Sequence, residues 1–227
     1  MIISSRVLTI AAWFALACVL SPWLAHAEPI FFSGNPSGYM PALHDEGLQH
    51  DNVMFNDPDN LTLSGPTVEG FVNGSTEKLT ISSPLGSSTV LTASGGQAPG
   101  VSAALGSFVE AIFAPDSDNA NTLFRSLSFN LDANGNEKGN IGVTLINRVD
   151  DEDVVVGDYN FDLGNGNTFF GAIGGDGTVF TSAILTSTDG VALNRIAQIR
   201  TSLAAAGATT PPTNPPGPPG PPGPPTN

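Results

Sequence analysis

Over residues 124–203 apolar side chains recur at every second position. Leu127, Phe129 and Leu131 share one face while Ser126, Ser128 and Asn130 share the other. Ile141, Val143 and Leu145 repeat the pattern, and Tyr159, Phe161 and Leu163 alternate with Asp158, Asn160 and Asp162. A period of two belongs to strands with one face buried and the other in water. The same reading predicts strands over 167–173, 178–186 and 195–203, and shorter ones over 52–56, 67–73, 78–82, 88–93 and 107–113. No long stretch has a helical period, and Val101 to Leu105 is expected to form only a brief helical turn.

Turn chemistry punctuates these runs. Asn73-Gly74, Gly95-Gly96, Asn134-Gly135, Asn165-Gly166, Asp176-Gly177 and Asp189-Gly190 all tolerate positive φ, which hairpin turns require. Many short strands with such turns predict an all-β fold, an antiparallel β-sandwich of jelly-roll-like type. Within 129-FNLDANGNEKGNIGVTL-145, Asp132, Asn134 and Asn136 are spaced as in the start of an EF-hand calcium loop. That loop needs Gly at its sixth position and Glu at its twelfth, where this chain has Glu137 and Val143. The stretch is therefore read as a hairpin turn joining adjacent strands.

The two ends differ from this middle. Residues 1–27 have Arg6 near the start, an apolar run from Val7 to Leu20, Ser21-Pro22, and Ala25-His26-Ala27 as a small-x-small cleavage site, the layout of a secretory signal peptide. The run is shorter than the roughly 20 residues that span a bilayer, so no membrane span is expected after cleavage. Residues 204–227 carry Gly-Pro-Pro triplets at Gly217, Gly220 and Gly223. Proline fixes φ and removes backbone donors, and three triplets offer little to a collagen-like trimer, so this tail is read as a disordered, semi-rigid spacer. Between them, 28–50 reads as a polar N-terminal segment and 51–203 as the β-sandwich domain.

Cleavage alters the composition. Cys18, Trp13 and Trp23 all fall in the expected signal, so the mature chain holds neither thiol nor indole and folds without disulfides. Six basic residues face 21 acidic ones, a formal charge of −15. Nucleic acid and anionic lipid are thereby disfavoured as partners. Extracellular polysaccharide, other surface proteins and calcium remain.

The phrases 52-NVMFN-56, 94-SGGQAPG-100, 124-FRSLSFNLDANG-135, 165-NGNTFFGAIGGDGTVFTSAILTSTDG-190 and 195-RIAQIRTS-202 resemble exported bacterial proteins of the PEP-CTERM (exosortase-sorted) type. The resemblance covers about residues 50 to 203 and implies an extracellular β-sandwich domain. It transfers no catalytic residue. After Leu203 the Pro-Glu-Pro, apolar segment and basic terminus of that type do not follow.

Three acidic clusters, 56–60, 116–119 and 150–153, crowd carboxylates that repel unless solvated or bridged by a cation. Asp57, Asp59, Asp116 and Asp118 are the candidate ligands of a structural calcium ion, whose hard oxygen ligands they match. In 44-HDEGLQHDN-52, His44 and His50 lie beside Asp45, Glu46 and Asp51. Their spacing of six does not align on one helical turn, and the segment is read as a polar loop rather than a zinc or acid–base site. No Gly-x-Ser-x-Gly elbow is present.

The function expected is a secreted, non-catalytic structural or interaction module of the bacterial cell exterior, serving matrix or surface adhesion. The alternatives are a calcium-stabilised carbohydrate-binding module, disfavoured by the lack of Trp, and a secreted hydrolase with a cross-strand carboxylate pair. No catalytic or cofactor-binding residue is assigned.

Overall fold

In the computed structural model the described residues are 28–205, apart from 58, 85–87, 96–98, 117–121, 134, 136 and 165. The expected signal peptide, Asp118 and nearly all of the proline-rich tail lie outside them. The strands are β1 (Ile30–Gly34), β2 (Asp51–Met54), β3 (Ser64–Gly65), β4 (Thr67–Val72), β5 (Lys78–Ser82), β6 (Leu91–Ser94) and β7 (Gly100–Ala103). They continue with β8 (Glu110–Pro115), β9 (Thr122–Ala133), β10 (Gly139–Val149), β11 (Glu152–Leu163), β12 (Thr168–Ile173), β13 (Ser182–Ser187) and β14 (Leu193–Ala205). One helix, α1 (Tyr39–Asp45), precedes β2.

Every pairing is antiparallel, and the strands form the two layers of a jelly-roll-like sandwich. One sheet runs β1-β12-β9-β14 and continues from β14 through β7 and β6 to β3. The other runs β4-β5-β8-β13-β10-β11. β2 turns the corner between them, pairing Asp51 and Asn52 with β14 and Val53 and Met54 with β4. The inward positions of both sheets close a single core. Phe113 of β8 stacks on Phe129 of β9 at 5.0 Å, and Phe161 of β11 on Phe170 of β12 at 5.4 Å. These rings bridge the layers where the alternation places Phe129 and Phe161 inward.

The connections depart from the expected hairpins. The strands flanking Asn73-Gly74 and Gly95-Gly96 are paired with each other, but those flanking Asn134-Gly135, Asn165-Gly166, Asp176-Gly177 and Asp189-Gly190 lie in different sheets. β9 pairs with β12 and β14, whereas β10 pairs with β11 and β13. Alternation records which face is apolar, not which strand is the hydrogen-bonded neighbour, so a hairpin and an inter-sheet arch read alike. Carboxylates pin two of these arches to each other. Asp189 Oδ2 accepts from the backbone N–H and the side-chain amide of Asn140, both at 3.0 Å. Glu137 Oε2 accepts from Ala192 N–H at 2.8 Å.

Three further expectations are corrected. Residues 101–103 belong to β7, not a helical turn, because Val101 packs inward while the backbone pairs with β6 and β14. The sandwich also begins before residue 51, since β1 pairs along its whole length with β12. The third concerns 44–52, where His44 lies in α1 and Asp51 and Asn52 open β2.

Local chemistry explains α1. Asn35 accepts from Ser37 N–H at 2.9 Å and Pro36 opens a 3-10 turn that leads into the helix. Gly47, at φ +65°, ends it, and Leu48 N–H donates back to Leu43 C=O at 3.0 Å in a Schellman-type cap.

Candidate functional site

The outer face of the first sheet would be a solvated face if alternation alone decided. At one side it is instead covered by α1. Tyr39 and Leu43 of the helix form a second small core with Ile173 of β12, flanked by Phe32, Leu48 and Phe169. Tyr39 lies flat on β12 because residue 171 is glycine: a Cβ there would stand 2.6 Å from the Tyr39 ring. Phe32, Phe169 and His50 all meet that ring edge-on, with centroids 5.1 to 5.5 Å away.

Beyond the edge of this cover is a cleft of about 280 Å³. Its floor is the outward row of β9, Ser128 and Asn130, with Gln198 and Arg200 of β14 alongside. Pro36, Met40 and Phe169 form its apolar wall, and Tyr39 and His50 line its inner end. Among the described residues no carboxylate lines it. Arg200 is its cation, and among the described residues no carboxylate pairs with that guanidinium.

A β-bulge aims the amide at the floor. The β14–β9 register shifts between Ala197 and Arg200, and Gln198 adopts φ +52° there. Left-handed backbone is strained for a residue with a side chain, and bulges re-aim side chains beside functional sites. The backbone N–H of Gln198 donates to Pro99 C=O at 3.0 Å, which holds the bulge. Its side-chain oxygen accepts from Asn130 Nδ2 at 2.5 Å, a bond that leaves Gln198 Nε2 and Asn130 Oδ1 uninvolved.

The inner end holds polar atoms without partners. Tyr39 is 1% exposed, and its hydroxyl lies near those of Ser126 and Ser128 without an aligned hydrogen bond to either. Burial pushes its phenol upward, so it remains a proton donor through the ordinary pH range. His50 Nε2 lies 2.9 Å from Ser128 Oγ, while Nδ1 is buried and unpartnered. Burial, and then the Arg200 charge, lower the imidazole pKa from 6.5 to about 4. The ring is thus neutral at neutral pH.

The Ser128–His50 contact has the spacing of a nucleophile and its base, but the rest of that chemistry is missing. No group orients Nδ1, Ser128 is 2% exposed, and an imidazole titrating near 4 is a weak base at neutral pH.

Of the residues singled out from sequence, His50 lines the cleft, while Asp57, Asp59, Asp116 and His44 do not. Asp57 accepts from Asn60 Nδ2 at 2.9 Å in a local turn, and Asp116 N–H donates to Lys78 C=O. Asp59 is exposed in the same turn as Asp57. Among the described residues no three His, Cys, Asp or Glu side chains gather to hold a metal. Asp150 and Asp151 form the β10–β11 turn, with φ of 51° and 66°. His44 is exposed on α1 and does not join His50. Tyr159 is half-buried with its ring stacked on Phe31 at 5.0 Å, and Tyr39 is buried. Among the described residues no helix is long and apolar enough to cross a membrane.

No protein-family model matches the chain, and no curated protein does. A solved structure matched is a family 11 carbohydrate-binding module from Clostridium thermocellum, in complex with a beta-1,3-1,4-mixed-linked tetrasaccharide. Identity is 13%, the alignment covers 69% of this chain and 97% of that one, and the TM-score is 0.31, too slight a likeness to bear on function.

Proposed function

We propose that the chain is a secreted, non-catalytic interaction module of the bacterial cell exterior that holds a saccharide unit of an extracellular polysaccharide in the cleft over β9 and β14. The observation that carries this reading is the make-up of the cleft. Amide, guanidinium and buried hydroxyl groups converge from three segments of the chain onto a floor walled by Phe169, Met40 and Pro36. A few placed polar groups beside apolar surface is the usual build of a small-ligand site. Three of the phrases that resemble exported proteins supply Ser128, Asn130, Phe169, Gln198 and Arg200, which agrees with the exterior setting.

A binding role is favoured over hydrolysis because the cleft lacks the carboxylate pair that glycoside cleavage uses and the orienting acid that a serine nucleophile uses. Retention of the mature chain on a panel of polysaccharide resins tests the proposal. Retention on at least one resin is expected, lost in Asn130→Ala/Gln198→Ala without a fall in melting temperature. Retention that survives the double substitution would place the contact elsewhere. Product release from a retained polysaccharide, or covalent labelling of Ser128 by a fluorophosphonate, would replace the binding role by an enzymatic one. Calcium belongs to this proposal through Asp57, Asp59, Asp116 and Asp118, and a calcium-dependent rise in melting temperature abolished by Asp57→Asn or Asp116→Asn would assign it to those residues.

A further inference from the structure

Resting on the saccharide reading of the cleft, we infer that the bound unit carries a carboxylate, so that the ligand is a polysaccharide with uronic acid residues, and that Arg200 receives it. The chain has a formal charge of −14, yet among the described residues no acidic side chain lines this cleft and Arg200 is its charged group. In a chain with three times as many acidic as basic residues, a cleft floor with a guanidinium and no carboxylate is locally inverted in sign. Arg200 is exposed and, among the described residues, without a carboxylate partner, so its planar fork of N–H donors is open to a ligand.

The remaining groups shift the same balance. Tyr39 contributes a buried hydroxyl with no aligned partner, and Gln198 an amide N–H₂ whose oxygen is already held by Asn130. Donors therefore outnumber acceptors, which suits an anionic oxygen better than a hydroxyl that must also donate. The surrounding acidic surface limits how much negative charge can approach. Fields of like sign act over about 10 Å at 0.1 M salt, so the geometry points to isolated uronic residues or an acidic chain end rather than a dense polyanion.

The test compares one oligosaccharide ending in glucuronic acid with the same molecule carboxyl-reduced to a hydroxymethyl, titrated into the mature chain by calorimetry. The acid form should bind about 10- to 100-fold more tightly, the range for a charge-assisted hydrogen bond. Arg200→Gln should abolish that preference while leaving the melting temperature unchanged, and Arg200→Lys should restore part of it. Equal binding of both forms, lost in Asn130→Ala/Gln198→Ala, would overturn the carboxylate inference and leave the saccharide site standing. Binding of neither form, nor of any neutral saccharide, would overturn both. Competition by a peptide with a free C-terminal carboxylate, where uronates fail, would also overturn the inference in favour of a protein partner.

Discussion

Replacing Tyr39 by phenylalanine separates a ligand-facing hydroxyl from a core one. The hydroxyl is buried and makes no aligned hydrogen bond, and the Ser126 hydroxyl beside it is equally unpartnered. The Ser128 hydroxyl is engaged with His50. A buried polar group without a partner costs about 1 to 3 kcal/mol. The neighbouring hydroxyls recover some of this, so the lower end applies and Tyr39→Phe should stabilise the protein by about 1 kcal/mol. Phenylalanine keeps the ring contacts to Phe32, His50 and Phe169, so no packing term opposes the gain. For a domain of this size the melting temperature should rise by roughly 2 to 4 °C. Urea unfolding monitored by circular dichroism reads the change, with an unaltered m-value as the check that the two-state reference has not moved. Affinity for the retained saccharide should fall in the same variant. A loss of stability of about 1 kcal/mol or more would show that the hydroxyl is satisfied inside the protein, and would refute its assignment as a group held open for ligand.

Other outcomes follow from the same geometry. The His50 pKa is depressed to about 4, so the unfolded state binds the proton first; its contribution is complete above pH 6.5 and is lost as pH falls from there through about 4. Relative to His50→Gln, wild type should lose roughly 2 kcal/mol between pH 7 and 4, allowing for a ring still partly open to solvent; a flat difference would contradict the buried neutral imidazole. Asp150 and Asp151 both have positive φ at a two-residue hairpin turn, so Asp150→Asn/Asp151→Gly should raise stability by about 1 kcal/mol in thermal unfolding. Phe113→Ala and Phe129→Ala should each cost about 3 to 5 kcal/mol. Their double-mutant cycle should show coupling of about 1 kcal/mol; strict additivity would mean that the two sheets do not meet through this pair.

Strand identity was legible where a strand buries one face. Leu127-Phe129-Leu131 and Ile141-Val143-Leu145 lie in the core as their alternation requires. What alternation could not supply was partnership, and four glycine turns read as hairpins proved to be arches. The acidic run at 150–153 was read for charge, while its backbone role as a turn left no composition signal of the Asn-Gly kind. The cleft was the least legible part. Ser128 and Asn130 fall on the face that alternation gives to water, and their significance depends on α1 lying beside them over β12. A signal for α1 was present in Asn35-Pro36 and Gly47, start and stop residues for a helix, but seven residues are too few for periodicity to register. Gln198 and Arg200 fall in the strand predicted over 195–203 and in a phrase of the resemblance, but neither marks the bulge, because a bulge that re-aims a side chain is set by its neighbours' register rather than by its own sequence.

β14 comes last among the described strands, yet it is an interior member of its sheet, flanked by β9 on one edge and by β2 and β7 on the other. The first half of the molecule therefore waits on the final strand before its sheet can close, and such distant pairings make for slow folding. Because Gln198 and Arg200 ride on that strand, the cleft proposed for ligand is not formed until β14 has docked. Engagement of a ligand there would report that β14 had taken its place between β9 and β7.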